Sequence, residues 1–584
     1  MDLSEVKSNI NKMFKIPICY NENVQKLNTS IVSDLELIDS VDKCETPIYE
    51  HVFKPTNKAS LQVVKQIASH YTNDTDYLKE TQQLTKNINS EELNTIHNKY
   101  GIGDFELDDI IGALEEIKGE TGFCEKYLYM DWTFVKQLNN NPYFLQIMSL
   151  YNIVSPILSL CLPIFVLIVP LVIIKLKGIK LDISQYIEIL RTLISNHAIF
   201  KIFDNFHEVD NSQKMYLVLS SAFYLFSIYQ NILVCIRFYS NMQKIHTYLL
   251  KFKKYVAYTL ELMDYHSSIS DKLTKYTKFN DDLTKNRTML ATIYDDLCKI
   301  TPFTFSLSKI NQIGHIMCTF YQIYDNVVYN EALIYSIGFN GYFRTISHIA
   351  NNVDENKLVK TTFTTEGKPI IKQMYYPKFI NDSNDTICKN NCDLNKNMII
   401  TGPNASGKTT TLKTALINVI LSQQIGYGCF KSLKLTPYDN IHCYLNIPDT
   451  SGRDSLFQAE ARRCKEIIDS IDEGTNKGLT HFCIFDELYS GTNPDEAVVS
   501  AKAFMEYIVK NKNVTCILTT HYIKLCKKLL KNKMIKNYNM KTLKKNDNFE
   551  YTYQLTEGIS KVKGGIKVLH DMKYPKEILD NTKM

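Results

Sequence analysis

The run Gly402-Pro-Asn-Ala-Ser-Gly407-Lys408-Thr409 has the spacing GxxxxGK[ST]. Its glycines let backbone N–H groups close on phosphate oxygens. The Lys408 ammonium is a point charge for β- and γ-phosphates, and the Thr409 hydroxyl is a ligand for Mg2+. Gly402, Pro403, Asn404, Ala405, Ser406, Gly407, Lys408, Thr409 and Thr410 are therefore expected to bind nucleotide, with ATP and Mg2+ as cofactors. Downstream, the run HFCIFDEL ends in Asp486-Glu487. Asp486 is expected to hold the metal through water, and Glu487 to polarise the water that attacks the phosphate. A further apolar run, VTCILTTH, ends at His521, where an imidazole can sense the γ-phosphate.

These residues need elements to hold them. Met398, Ile399 and Ile400 precede the glycine loop, and a stretch free of Gly and Pro follows as far as Gln424, which predicts strand, loop and helix. Phe482–Phe485 predicts a second strand with the acidic pair at its end, and the run to His521 a third. P-loop, acidic pair and terminal His in this order describe an α/β ATPase core of the ABC type.

The chain of 584 residues has room for three or four domains. Its fifteen cysteines are scattered without a CxxC pair, which points to reduced, mostly buried thiols. The N-terminal MDLSEVKSNINKMF lacks an apolar core and is not expected to be a signal peptide. Net charge is +5, yet residues 524–545 alone carry nine lysines and no acid, so the remainder is net acidic. That run is either a solvated surface around a hairpin or a patch that meets phosphates.

Residues 45–140 and 240–350 are helical in pattern and poor in Gly and Pro. Residues 137–174 contain no charged side chain, and Ile153–Ile174 and Met215–Ile236 are each long enough to span a bilayer as a helix. Pro156, Pro163 and Pro170 recur on one helix face, a placement that membrane helices tolerate better than soluble ones. The expectation is a transmembrane hairpin with both termini on the cytosolic side; the alternative is a buried helical pair in a soluble core. The resulting division is a helical core or lever segment 1–140, an apolar region 141–240, a helical lever segment 241–365 and an ATPase domain 366–584.

Six ordered motifs then carry a resemblance. TGPNASGKTT has Pro-Asn after its first glycine. The segment from Gly428 ends in Ser455-Leu456-Phe457 with Glu460 three residues on. DELYSGT, TTHYIKL, MYYPKFI and YTYQLTEG complete the set. Together they are similar to the ATPase domain of the MutS mismatch-repair family, and no LSGGQ of a generic ABC protein precedes the acidic strand. The resemblance implies a dimer, homotypic or of MutS-like heterodimer kind, in which Ser455 reaches the γ-phosphate of the opposite subunit. It also implies that Glu487 is the general base, that Asn404 and His521 position water and phosphate, and that lever helices carry closure to duplex or branched DNA.

Several positions depart from the family. Tyr376 stands for its His, Tyr489 and Ser490 for a Gly-Arg pair, Leu456 for Thr, and Asp454 is inserted. Ile387 stands where an adenine-stacking aromatic is expected. Lever-like sequence begins near residue 45, so the mismatch-reading domain is not expected, and F-x-E at Phe123 and Phe206 fits chance. The resulting reading is a membrane-anchored, MutS-type, DNA-binding ATPase with its ATPase domain in the cytosol. A soluble cytoplasmic or nuclear protein is the fallback for location. The rival function is a membrane ATPase that moves its hairpin without DNA.

Overall fold

A computed structural model describes residues 10–178, 183–196, 211–303, 306–382, 387–445, 455–545, 548–560, 562, 572–575 and 577–578. The chain forms two compact units, each drawn from separated segments: residues 109–257 with 288–333, and residues 4–108 with 258–287 and 334–584.

The first unit is helical. Helix α1, Pro142–Leu176, stays helical across Pro156, Pro163 and Pro170 and extends beyond the predicted span at both ends. Helix α2, Asn211–Ser270, fuses the second apolar segment with the helix expected from Met242, and its residues to Ala257 belong to this unit. The two helices meet through polar groups. Tyr224 Oη donates to the Ser159 carbonyl at 3.0 Å, and Asn231 Nδ2 donates to Ser159 Oγ at 2.5 Å. Many large apolar side chains on both helices face outward, Phe223 at 69% and Leu225 at 65% exposure among them. A Cβ on Gly314 would fall 2.1 Å from the Pro142 carbonyl oxygen, so only glycine lets helix Ile313–Asp325 lie against the start of α1. Phe123 is buried and stacked on Tyr324 at 3.7 Å, which excludes it as an exposed wedge between bases; Phe206 lies outside the described residues.

In the second unit, part of helix α3, Val327–Asp354, packs aromatic side chains against the N-terminal segment. Phe14 meets Tyr335 edge-on at 5.3 Å, and Phe279 meets Tyr342 at 5.6 Å. The ATPase sheet follows from β1, Asn397–Thr401, with helix α4, Lys408–Ile425, after the glycine loop. Next come β2, Asn440–Tyr444, α5, Leu456–Thr475, β3, His481–Asp486, and α6, Pro494–Ile508. Then follow β4, Val514–Thr520, α7, Ile523–Leu529, β5, Ile535–Lys545, and β6, Asn548–Glu557.

The strand order is β2-β3-β4-β1-β5-β6, all parallel except β6. Strands β1 and β4 are buried along their whole length, as expected of strands in a parallel sheet covered on both faces. Phe485, Ala501, Phe504, Leu518 and Leu525 form one core cluster joining β3, β4, α6 and α7. Each such large side chain contributes about 1.5–3 kcal/mol by leaving water. Helix α4 is buried almost all round, because the segments around Tyr49, Ile67 and Thr72 close over its C-terminal half. Tyr49 Oη donates to Gln424 Oε1 at 2.5 Å, and Gln424 Nε2 donates to the Ile67 carbonyl at 2.7 Å. The lysine run, expected to be a solvated surface around a hairpin or a patch that meets phosphates, divides among α7, the turn after it that holds Lys531 and Lys533, and β5, which pairs antiparallel with β6.

Candidate nucleotide site

Parallel pairing sets the ends of three strands level: Thr520 is in register with Thr401, and Thr519 with Asp486. Ligands of open α/β sheets bind at this carboxyl end. The loop after β1 turns through two left-handed residues, Ala405 at φ 59° and Gly407 at φ 91°, which aim its amides inward at the start of α4. Ser406 Oγ donates to the Pro403 carbonyl at 2.7 Å and ties the loop across itself.

Lys408 is buried, and its ammonium reaches the Pro403 carbonyl at 3.1 Å and His521 Nε2 at 3.4 Å. Burial pushes the lysine pKa down, and the charges of Glu487 and Asp486 push the other way. Thr409 Oγ1 donates to Asp486 Oδ2 at 2.9 Å, while the Thr519 hydroxyl holds the other carboxylate oxygen. A hydroxyl and a carboxylate side by side are the hard oxygen donors that suit Mg2+ beside phosphates, so these residues fit the ion. Glu487 Oε1 lies 2.6 Å from His521 Nε2. The hydrogen bond from His521 holds the Glu487 carboxyl below its ordinary range; burial opposes this, and the charges of His521 and Lys408 add to it.

A cleft of about 570 Å3 opens over the loop, lined by Asn404, Ala405, Gly407, Lys408, Thr409, Thr410 and Glu487. The structure thus brings together the loop, the acidic pair and His521. It does not bring Ser455 there: Ser455 is exposed at the N-cap of α5, accepting from the Gln458 amide at 3.3 Å. Gly402, Pro403 and Ser406 are buried within the loop. Asp454 lies outside the described residues.

The cleft also contains aromatic side chains that sequence reasoning did not connect to it. Ile387 does line it, but so do Tyr376, Phe379 and Tyr553. Tyr553 sits on β6 at φ 55°, and its carbonyl accepts from Asn390 Nδ2 at 2.9 Å. Its ring stands over the loop, since a Cβ on Gly407 would meet it at 3.2 Å. The only signal in the sequence was the unusual Tyr-Thr-Tyr alternation, which says nothing of its neighbour.

Residues 398–584 match the family model MutS domain V. That segment is of MutS type. The chain is similar to the DNA mismatch repair protein MutS of Orientia tsutsugamushi, 29% identical over 35% of this chain and 23% of the relative. It is 26% identical to the DNA mismatch repair protein msh3 of Botryotinia fuckeliana over 38% of this chain and 21% of that protein. Against MutS of Clostridium perfringens the identity is 27% over 41% of this chain and 26% of the relative. The chain therefore spans about a quarter of the length of these curated relatives. Within the MutS-type segment, one departure has a visible consequence. Tyr489, where the family pattern expects glycine, adopts φ 58°, and its ring packs on Phe457 of α5 at 5.7 Å.

Proposed function

We propose that the chain is a Mg2+-dependent MutS-type ATPase that dimerises and uses ATP to close on DNA. The observation that carries the chemistry is the convergence of Lys408, Thr409, Asp486, Glu487 and His521 at the carboxyl end of the sheet. Lys408 and the loop amides bind and orient the triphosphate. Thr409 and Asp486 would hold Mg2+, which when bound neutralises phosphate charge. Glu487 accepts a hydrogen bond from the attacking water and takes its proton, while His521 fixes the carboxylate's position. Asn404, exposed on the loop, is assigned to orient the γ-phosphate and water. Ser455 is exposed and does not line its own cleft, and we assign it to the partner's γ-phosphate in a homodimer or MutS-like heterodimer.

DNA as the partner rests on the relatives, whose names describe DNA mismatch repair. With Phe123 buried and no other reading element assigned, affinity for duplex or branched DNA comes mainly from phosphate contacts. It should then fall steeply with salt and distinguish matched from mismatched duplex poorly. Lys527, Lys528, Lys531 and Lys533 are exposed and make up the candidate patch. Fluorescence anisotropy across a salt series tests this. Replacing the four by Gln should flatten the slope of log K against log salt by about 0.9 for each phosphate contact removed. Absence of any binding at low salt would overturn the DNA assignment.

A membrane anchor is favoured by a separate observation. Helices α1 and α2 include candidate spans, 142–161 and a span within 214–270, whose apolar side chains are largely exposed. A surface of that size is costly in water and suits lipid, while Asn231 and Ser159 satisfy each other between the helices. The hairpin of residues 153–174 and 215–236 should keep the protein in the membrane fraction through alkaline carbonate washing. Deletion of residues 141–240 should release it. A full-length chain that stays soluble without detergent would make the two helices a packing surface for protein. The same anchor moved by ATP without DNA is the rival function, and the anisotropy measurement separates the two.

A further inference from the structure

Glu460 is a carboxylate of 2% exposure that the chemistry above does not use. It lies on α5, little more than one turn after Ser455. Its Oε1 accepts from the Ser490 amide at 3.1 Å and the Ser490 hydroxyl at 2.8 Å, and its Oε2 accepts from the Gly491 amide at 3.2 Å. The turn that donates all three begins at Glu487, the proposed base, whose own backbone sits at φ 53°. Two apolar contacts join the same pair of elements. Phe457 packs on Tyr489, and a Cβ on Gly491 would lie 2.8 Å from Leu456 Cγ and 2.9 Å from the Phe457 amide nitrogen.

The start of α5 and the turn after β3 are therefore tied together by both polar and apolar contacts. Three hydrogen bonds to one buried carboxylate are costly to break, because Glu460, at 2% exposure, would be left as a charge without partners. We propose that Glu460 is a positioning residue that couples the two ATP sites of the dimer. Its helix lends Ser455 to the partner's phosphate, and its carboxylate holds the turn that aims Glu487 at the subunit's own phosphate. Contact of Ser455 with γ-phosphate in one site is thereby passed to the base in the other. The inference rests on the dimeric reading given under Proposed function.

The test uses full-length heterodimers isolated by two affinity tags, with Lys408→Ala in one subunit so that a single site can turn over. Glu460→Gln is placed first in the subunit that hydrolyses and then in the subunit that lends Ser455. Coupling predicts that kcat falls about tenfold in both arrangements, the scale of one charge-assisted hydrogen bond, with KM for ATP moving far less. Loss confined to the hydrolysing subunit would reduce Glu460 to a local support for Glu487. Loss confined to the lending subunit would reduce it to a support for α5. Either result overturns the proposal.

If Glu460→Gln does not fold, Gly491→Ala replaces it. The added methyl presses on Leu456 and the Phe457 amide, and the same loss in both arrangements is expected. Mixing Lys408→Ala with Ser455→Arg subunits tests the dimeric reading by itself. Restored turnover supports sites shared between subunits, and no restoration removes that reading whatever Glu460 does.

Discussion

Glu487→Gln is expected to leave ATP binding intact and to lower kcat by about two to three orders of magnitude, the range of a positioned general base. The amide keeps the shape of the side chain and can still meet His521, so the loop and cleft are undisturbed. It cannot take a proton from water, and the loss falls on the chemical step alone. Binding of a fluorescent ATP analogue and single-turnover phosphate release separate the two effects. Equal turnover by wild type and variant would remove Glu487 from the mechanism.

The same residue carries a pH dependence. Its carboxyl is held below the ordinary carboxylate range, chiefly by the hydrogen bond from His521. A base with a lowered pKa stays ionised above that value, so the acid limb of kcat that belongs to Glu487 lies below the usual carboxylate pH. His521→Ala removes the largest cause of the shift and leaves burial, which raises the pKa. The acid limb should then move to higher pH, and an unmoved limb would show that the imidazole does not tune the base.

What the sequence reveals of this site divides by the range of the interactions. The loop Gly402–Thr409 and the strand before it are legible because their roles depend on residues adjacent in the chain. Asp486 and Glu487 are legible as a pair at the end of an apolar strand. Their hydrogen bonds to Thr409 and His521 come from the strand order, in which β4 lies between β1 and β3. Tyr553 and Phe379 were not legible as cleft residues, since they arrive from β6 and from a short 3-10 turn on the other side of the loop in sequence. Helical periodicity likewise gave no hint of the three-residue strands Val24–Lys26 and His70–Thr72, whose antiparallel pairing is a tertiary contact with too few residues to show a period. Glu460 was legible as one letter of a family pattern. Its three donors, two of them backbone amides, leave no trace in residue type.

Lys408→Ala should weaken ATP binding by about a hundredfold or more, the scale set by losing a charge-assisted contact in a site of low dielectric. Among the described residues that line the cleft, Lys408 is the one cation, and the neighbouring Lys389 ammonium lies over the Tyr375 ring. The ammonium is buried against the Pro403 carbonyl and His521, and burial already disfavours its charge. Removing it relieves that cost, so the protein without nucleotide should melt at or above the wild-type temperature. The stabilisation that ATP gives the wild type, which grows with the logarithm of its concentration over Kd, should disappear. Lys408→Arg is not a conservative control: its planar fork is broader than an ammonium held between a carbonyl and a ring, and it should lose most binding as well. Thermal shift with and without Mg-ATP reads both quantities in one experiment. An Ala variant that still gains wild-type stabilisation from ATP would mean that the loop amides alone hold the triphosphate, and Lys408 would then have to act in the chemical step.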